Sequence, residues 1–207
     1  MNGFVGGAVM RPARIMLALA AATMPIPAAA QYETPVNPPD PAAQLAELIE
    51  IYDSACLHAF PDDGAVAQAM TARGATAMSA AEVRSILRDD PGRGWTIAGR
   101  TARFRLTLEA PPYHACGVRT MTAAGFPDMA PYRALADRFE AGDGWQRFGP
   151  QAMDVDNVHS VAAGEQRGVR GGTEALMAFV NTPDEKTRDA AHSAIEVRFV
   201  HQIYRGN

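Results

Sequence analysis

Three features of the sequence predict an α+β fold with N-terminal helices packed on one face of a twisted antiparallel sheet. Apolar residues recur at helical spacing from Leu45 to Phe60. The period then switches to two between Ala102 and Glu109. The only two cysteines, Cys56 and Cys116, fall one in the helical region and one just beyond the strand.

The helical region opens at Asp40-Pro41, an N-cap followed by proline in the first turn. Leu45, Leu48, Ile49, Tyr52, Cys56, Ala59 and Phe60 then line one stripe until Pro61. A second, weaker helix is expected over about 63–73, with Val66 and Met70 inward and Gly74 at its end. Ser79-Ala80-Ala81-Glu82 is a capping box and starts a third helix that ends before Asp89-Asp90-Pro91-Gly92.

In the strand region Ala102, Phe104, Leu106 and Leu108 alternate with Arg103, Arg105, Thr107 and Glu109, a half-buried strand with a charged outer face. Residues 95–98 before it and 114–121 after it complete a three-stranded meander, with turns at Gly99-Arg100 and Ala110-Pro111-Pro112. Cys116, Val118 and Thr120 are expected to share a face, which lets Cys116 bond to Cys56 on the buried helical stripe. A fourth helix runs over about 131–141, and strands follow at 175–181 and 195–204. The polar, Gly-rich stretch 150–172 reads as a strand plus a long loop.

Gly92-x-Gly94-Trp95 recurs as Gly142-x-Gly144-Trp145, with Gly99 and Ala102 matched by Gly149 and Ala152. Gly117-Val118-Arg119 echoes Gly168-Val169-Arg170 at nearly the same offset. A fixed period is the mark of a repeated unit. A duplicated helix-plus-meander is therefore one expectation, and chance recurrence of glycine and alanine is the other.

The 207 residues are 47% hydrophobic and 20% charged, which excludes a disordered chain, a collagen-like repeat or a multi-span membrane protein. With 19 basic against 23 acidic side chains the formal charge is −4. There is no basic footprint of the kind a nucleic-acid binder needs to displace counterions. Lysine occurs once, at Lys186, so nearly all the positive charge is arginine.

The N-terminus reads as an export signal. Arg11 and Arg14 precede an apolar run, Ile15 to Pro27, and Ala28-Ala29-Ala30-Gln31 supplies an Ala-x-Ala cleavage site. The run is shorter than the ~20 residues that span a bilayer. Met10, just before Arg11, offers an alternative start. The expected organisation is a signal peptide over 1–30, a Pro-rich tether over 31–42 and one α+β domain over 43–207. After signal cleavage no stable membrane insertion is expected. In an oxidising compartment two cysteines pair more often than they stay free, so a structural disulfide is favoured over a reactive thiol or metal ligand.

No nucleophile elbow, P-loop, dinucleotide fingerprint, H-E-x-x-H or paired C-x-x-C is present. Asp154-Val155-Asp156-Asn157-Val158-His159 gathers carboxylates, an amide and an imidazole, so Asp154, Asp156 and His159 are the candidate metal ligands. On one strand, period two would separate Asp154 and Asp156 from His159. Asp62-Asp63 suits a helix start and Asp89-Asp90 a helix break, rather than an acid/base pair. His58 lies off the apolar stripe, His192 in a polar stretch, and His114 and His201 on strands that could meet. Arg103 and Arg105 share the polar face of their strand, with Arg119 on the next. These three are the candidate residues for an anionic ligand, against the plainer reading of a solvated sheet face.

The export signal, the Cys-bearing helix, the Gly-Trp strand and Cys116-Gly117-Val118 together resemble small exported proteobacterial proteins of unassigned function, over about residues 45–121. The resemblance implies a periplasmic or secreted bacterial protein and transfers no catalytic residue. The expected role is a non-catalytic binding or inhibitor-type domain, with an envelope protein or a small anionic ligand as partner and no cofactor. The alternative is a divalent-metal-binding protein or metal-assisted hydrolase centred on 154–159.

Overall fold

The first helix, α1 (Pro41–Tyr52), starts where Asp40 accepts the amide of Ala42, with Pro41 in the first turn. It buries Leu45, Leu48, Ile51 and Tyr52. The chain then winds on as a wider π-helical segment, Asp53–Ala59, closed by Phe60 N–H donating to the Ala55 carbonyl. The computed structural model describes residues 40–88, 90–123, 126, 128–142, 144–155, 158–183 and 194–205. The expected signal peptide at 1–30 and nearly all of the expected tether lie outside them. Asp40, Pro41 and Ala42, at the tether's expected end, belong to the start of α1.

Three further helices follow the predicted pattern: α2 (Asp63–Ala72), α3 (Ala80–Leu87) and α4 (Ala130–Phe139). Asp62 caps α2 by accepting the amides of Gly64 and Ala65. Both halves of the Ser79/Glu82 capping box are formed at α3. Among the described residues no helix is long and apolar enough to cross a membrane.

The strands are β1 (Thr76–Ala77), β2 (Gly92–Ala98), β3 (Arg103–Glu109), β4 (Ala115–Thr122), β5 (Gln146–Val155), β6 (Val158–Val169), β7 (Gly172–Pro183) and β8 (Ile195–Arg205). They form one eight-stranded antiparallel sheet in the order β1-β2-β3-β4-β8-β7-β6-β5. Two meanders therefore meet where β4 pairs with β8. The predicted α+β class stands.

Period two sorts the sheet into two faces. Opposite one another on the first face lie Leu106, Val118 and Phe199, and beside them Leu108, Cys116 and His201. This face carries α1, α2 and α4. Phe199 stacks on Tyr132 of α4 at 4.2 Å and meets Tyr52 of α1 edge-on at 5.6 Å. Gln44 donates to the Thr120 hydroxyl and the Met121 carbonyl, tying α1 to β4. Buried Glu47 takes the amides of Arg100 and Thr101 and the Thr101 hydroxyl at 2.6–2.8 Å, holding the β2–β3 turn. Burial pushes the Glu47 carboxyl up, but these hydrogen bonds and the Arg100 charge outweigh it and hold it below the usual range.

The stretch 150–172 differs from expectation. In place of a long loop it holds most of β5 and β6, joined by a tight hairpin. The composition misleads because several glycines serve close packing. A Cβ on Gly164 would lie 2.1 Å from the Leu176 carbonyl oxygen across the ladder. Gly149, at φ 81°, sits at the register shift between Phe148 and Gln151.

The duplication is not confirmed. Gly92–Trp95 lies within a paired strand, whereas Gly142–Trp145 precedes β5. Gly117-Val118 is in the third strand of its meander, and Gly168-Val169 ends the second strand of the other.

Candidate functional site

Cys56 and Cys116 are bonded, with Cα atoms 5.3 Å apart and both side chains fully buried. The bond staples the π-helical segment to β4 as the sequence predicted, and it removes both thiols from any reactive or metal-binding role. Beside it His201 is only 2% exposed. Its Nδ1 donates to the Cys56 carbonyl at 2.7 Å, and its Nε2 lies 2.8 Å from Glu174 Oε1. The other Glu174 oxygen takes Arg167 Nε and Nη2 at 2.8 and 2.7 Å. Hydrogen bonding from His201 works first against burial, and Arg167 adds to it, so the Glu174 carboxyl is held below its ordinary range. His114 and His201 do come together, each packed on the Phe60 ring at 4.6 and 4.9 Å. His114 is bonded to Asp63, and exposed His58 pairs with Asp53. His192 lies outside the described residues, as does Asp89.

Of the candidate metal ligands, Asp154 of β5 stands directly opposite His159 of β6, so the two share a face and bond at 2.8 Å, both exposed. Asp156 and Asn157 lie outside the described residues. Among the described residues no group of three His, Cys, Asp or Glu side chains could hold a metal ion.

The second face of the sheet, away from α1, α2 and α4, carries the candidate arginines. Arg105 of β3 stands opposite Arg119 of β4, and Arg119 stands opposite Arg198 of β8, which the sequence reading did not single out. Phe179 of β7 completes the row, with the Arg198 guanidinium 4.4 Å from its ring centre. Arg103 shares the face but sits at the exposed start of β3. Like charges on neighbouring strands repel unless something offsets them. Glu196 offsets part: it accepts from Arg119 Nη1 at 3.2 Å and from Asn181 at 2.9 Å. Burial raises the Glu196 carboxyl, and the Arg119 and Arg198 charges bring it back below the ordinary value.

One row further along, Thr107, Gly117, Val200 and Met177 lie side by side across four strands. Because Gly117 has no side chain, this row forms the floor of a groove of about 250 Å³. Arg119, Arg198 and Phe179 form one wall, and Leu87 at the end of α3 reaches in from the side. Glu109 lies at the next position of β3, its carboxyl raised by burial and by Asp90 against the pull of Arg198.

Arg119 is 8% exposed. Its Nε and the Nε of Arg198 are both buried without a hydrogen-bond partner. Among the described residues no carboxylate comes within ion-pair distance of Arg198. Burial, and then the Arg119 charge, pull the Arg198 guanidinium down to about 10, against the opposing effect of Glu196 and Glu109. Such a group remains a cation at neutral pH and is short of an acceptor. No imidazole, thiol or serine is among the groove-lining residues, which pair two guanidiniums and the Glu109 carboxyl with apolar side chains. No family model, curated protein or solved structure matches this chain, and the site is read from its own residues.

Proposed function

We propose that the chain is an exported, non-catalytic binding protein that captures a small anionic ligand on the open face of its sheet. Arg119 and Arg198 are the gripping pair, and Arg105 strengthens the local positive field. One observation carries the reading: two guanidiniums that line the groove each keep a buried Nε–H without a hydrogen-bond partner. Buried polar groups are nearly always paired, so an unmatched pair of strong donors points to an acceptor that arrives with the ligand.

Export accounts for the sequence before Gln31 and suits a disulfide-stapled domain. The test is calorimetric titration of the protein with acetate and with inorganic phosphate, on the wild type and on Arg198→Gln. Saturable binding that disappears in Arg198→Gln is the expected result, with circular dichroism confirming the fold of the variant. Absence of binding by either anion would overturn the proposal. The mass of protein recovered from a bacterial envelope tests export, since it should begin at Gln31.

A further inference from the structure

We infer that the ligand is a small amphipathic carboxylate: its carboxylate is held by the free edges of Arg119 and Arg198, and its short apolar body lies over Gly117. The inference rests on the anion-binding reading above and adds the chemical class.

The head group follows from which edges are free. Arg119 spends Nη1 on Glu196, which leaves its Nε side, and the Nε of Arg198 is likewise unpartnered. The Nε–H and neighbouring Nη–H of a guanidinium form a planar fork that matches two oxygens of one anion. Glu196 already sits against Arg119, and Glu109 stands further along the groove. With Arg105 in the same row, three guanidiniums against Glu196 and Glu109 leave one positive charge, which a monoanion balances and a dianionic phosphate exceeds.

The body follows from the rest of the lining. Leu87, Ala115, Met177, Phe179 and Val200 present apolar surface around Gly117. Gly117 is the informative residue. It lies in β4, inside the sheet, with no positive φ to require glycine. A Cβ there would meet nothing closer than the Val200 methyl at 3.5 Å. Backbone geometry therefore does not call for glycine, and a strand-interior glycine with no bulge and no backbone packed on it leaves room for a ligand to approach closely. At about 250 Å³ the groove lies just under the usual range of small-molecule pockets, roughly 300–1,000 Å³, so the apolar body is short.

The test is a calorimetric series of straight-chain carboxylates, acetate, butyrate, hexanoate and octanoate, with hexyl phosphate and hexanol alongside. Binding should tighten by about two- to fourfold per added methylene until the groove is full, since burial of each CH₂ is worth that factor. Hexanol should not bind. In Gly117→Val a β-branched residue suited to a strand occupies the groove, and the dependence on chain length should vanish. Met177→Gln, a half-buried change on another strand, should flatten the series in the same way if Gly117→Val fails to fold. A flat series in the wild type, with acetate still bound, overturns this inference and leaves the anion reading standing. Hexyl phosphate binding more tightly than hexanoate overturns the choice of carboxylate. No binding by any member overturns both readings.

Discussion

Strands β7 and β8 carry a buried charged cluster on each face, and the two clusters are built on opposite principles. On the helix-covered face His201, Glu174 and Arg167 close on one another and on the Cys56 carbonyl, so every polar atom of the Glu174 carboxylate and the His201 ring has a partner. On the open face Arg119 and Arg198 lie side by side with one glutamate between them, and each leaves an Nε without an acceptor. A charge that is buried and satisfied is architecture. The unmatched donors of the open face are the ones the proposed ligand would satisfy.

If that contrast is right, breaking the covered face should cost stability and leave the open face's chemistry alone. The largest effect is expected from the staple. Replacing both Cys56 and Cys116 with Ala releases a loop of 60 residues, and chain entropy sets the loss near 4 kcal/mol. Urea denaturation of wild type and the double variant, without reductant, measures it. Next comes Glu174→Gln, which strips the carboxylate from His201 and Arg167 inside the fold. Removal of one partner from a buried pair should lower stability by about 3 kcal/mol in the same assay. A loss under about 1 kcal/mol would mean the cluster is not the closed unit described.

These two faces were not equally legible in the sequence. β3 is legible because buried Phe104, Leu106 and Leu108 alternate with Arg103, Arg105 and Glu109, which are exposed or half-buried. The helices were clear because Asp40-Pro41, Asp62 and Ser79/Glu82 are capping chemistry that acts locally. Arg198 is hidden for a different reason. It alternates with buried Val197 and Phe199 and shares its side of the strand with Glu196 and Gln202, so it reads as an ordinary outward-facing arginine. What gives Arg198 its meaning is the pairing of β4 with β8 across the chain, which sets it beside Arg119. Local periodicity carries no record of that pairing. The polar stretch 150–172 misled in turn, because at Gly164 the glycine serves close strand packing and not a loop.

A third, intermediate effect is expected with pH. Glu174 and Glu47 both have carboxyls held below the ordinary value of 4.5 in the folded protein. Each is therefore more easily protonated in the unfolded chain. Their contribution to stability is complete above about 4.5 and is lost as pH falls through their lower folded values. Glu109 on the open face runs the other way, because burial and Asp90 raise it. Ionised at neutral pH, it detracts from stability, and that penalty is relieved as pH falls toward 4.5. Urea midpoints between pH 7 and 3 should thus hold or rise slightly before falling. In Glu109→Gln the slight rise should shrink to the part due to Glu140, whose carboxyl burial also raises, while the acid loss remains.

The smallest effect on stability is expected at the residue with the largest effect on binding. Arg198→Met keeps an apolar stem of similar volume, gives up the guanidinium over the Phe179 ring, and removes a cation that has no ion-pair partner among the described residues. Replacing buried charge by an apolar side chain of similar volume is often neutral or stabilising, so the urea midpoint should stay within about 1 kcal/mol of wild type or rise. Arg167→Met, on the covered face, removes a guanidinium bonded twice to Glu174 and should lower stability instead. Run side by side, the two variants put the contrast at risk. Equal losses would mean that Arg198 is held by the fold as firmly as Arg167, and the open face would then be a structural surface. A stable Arg198→Met that no longer binds acetate would mean that the missing acceptor comes from a ligand.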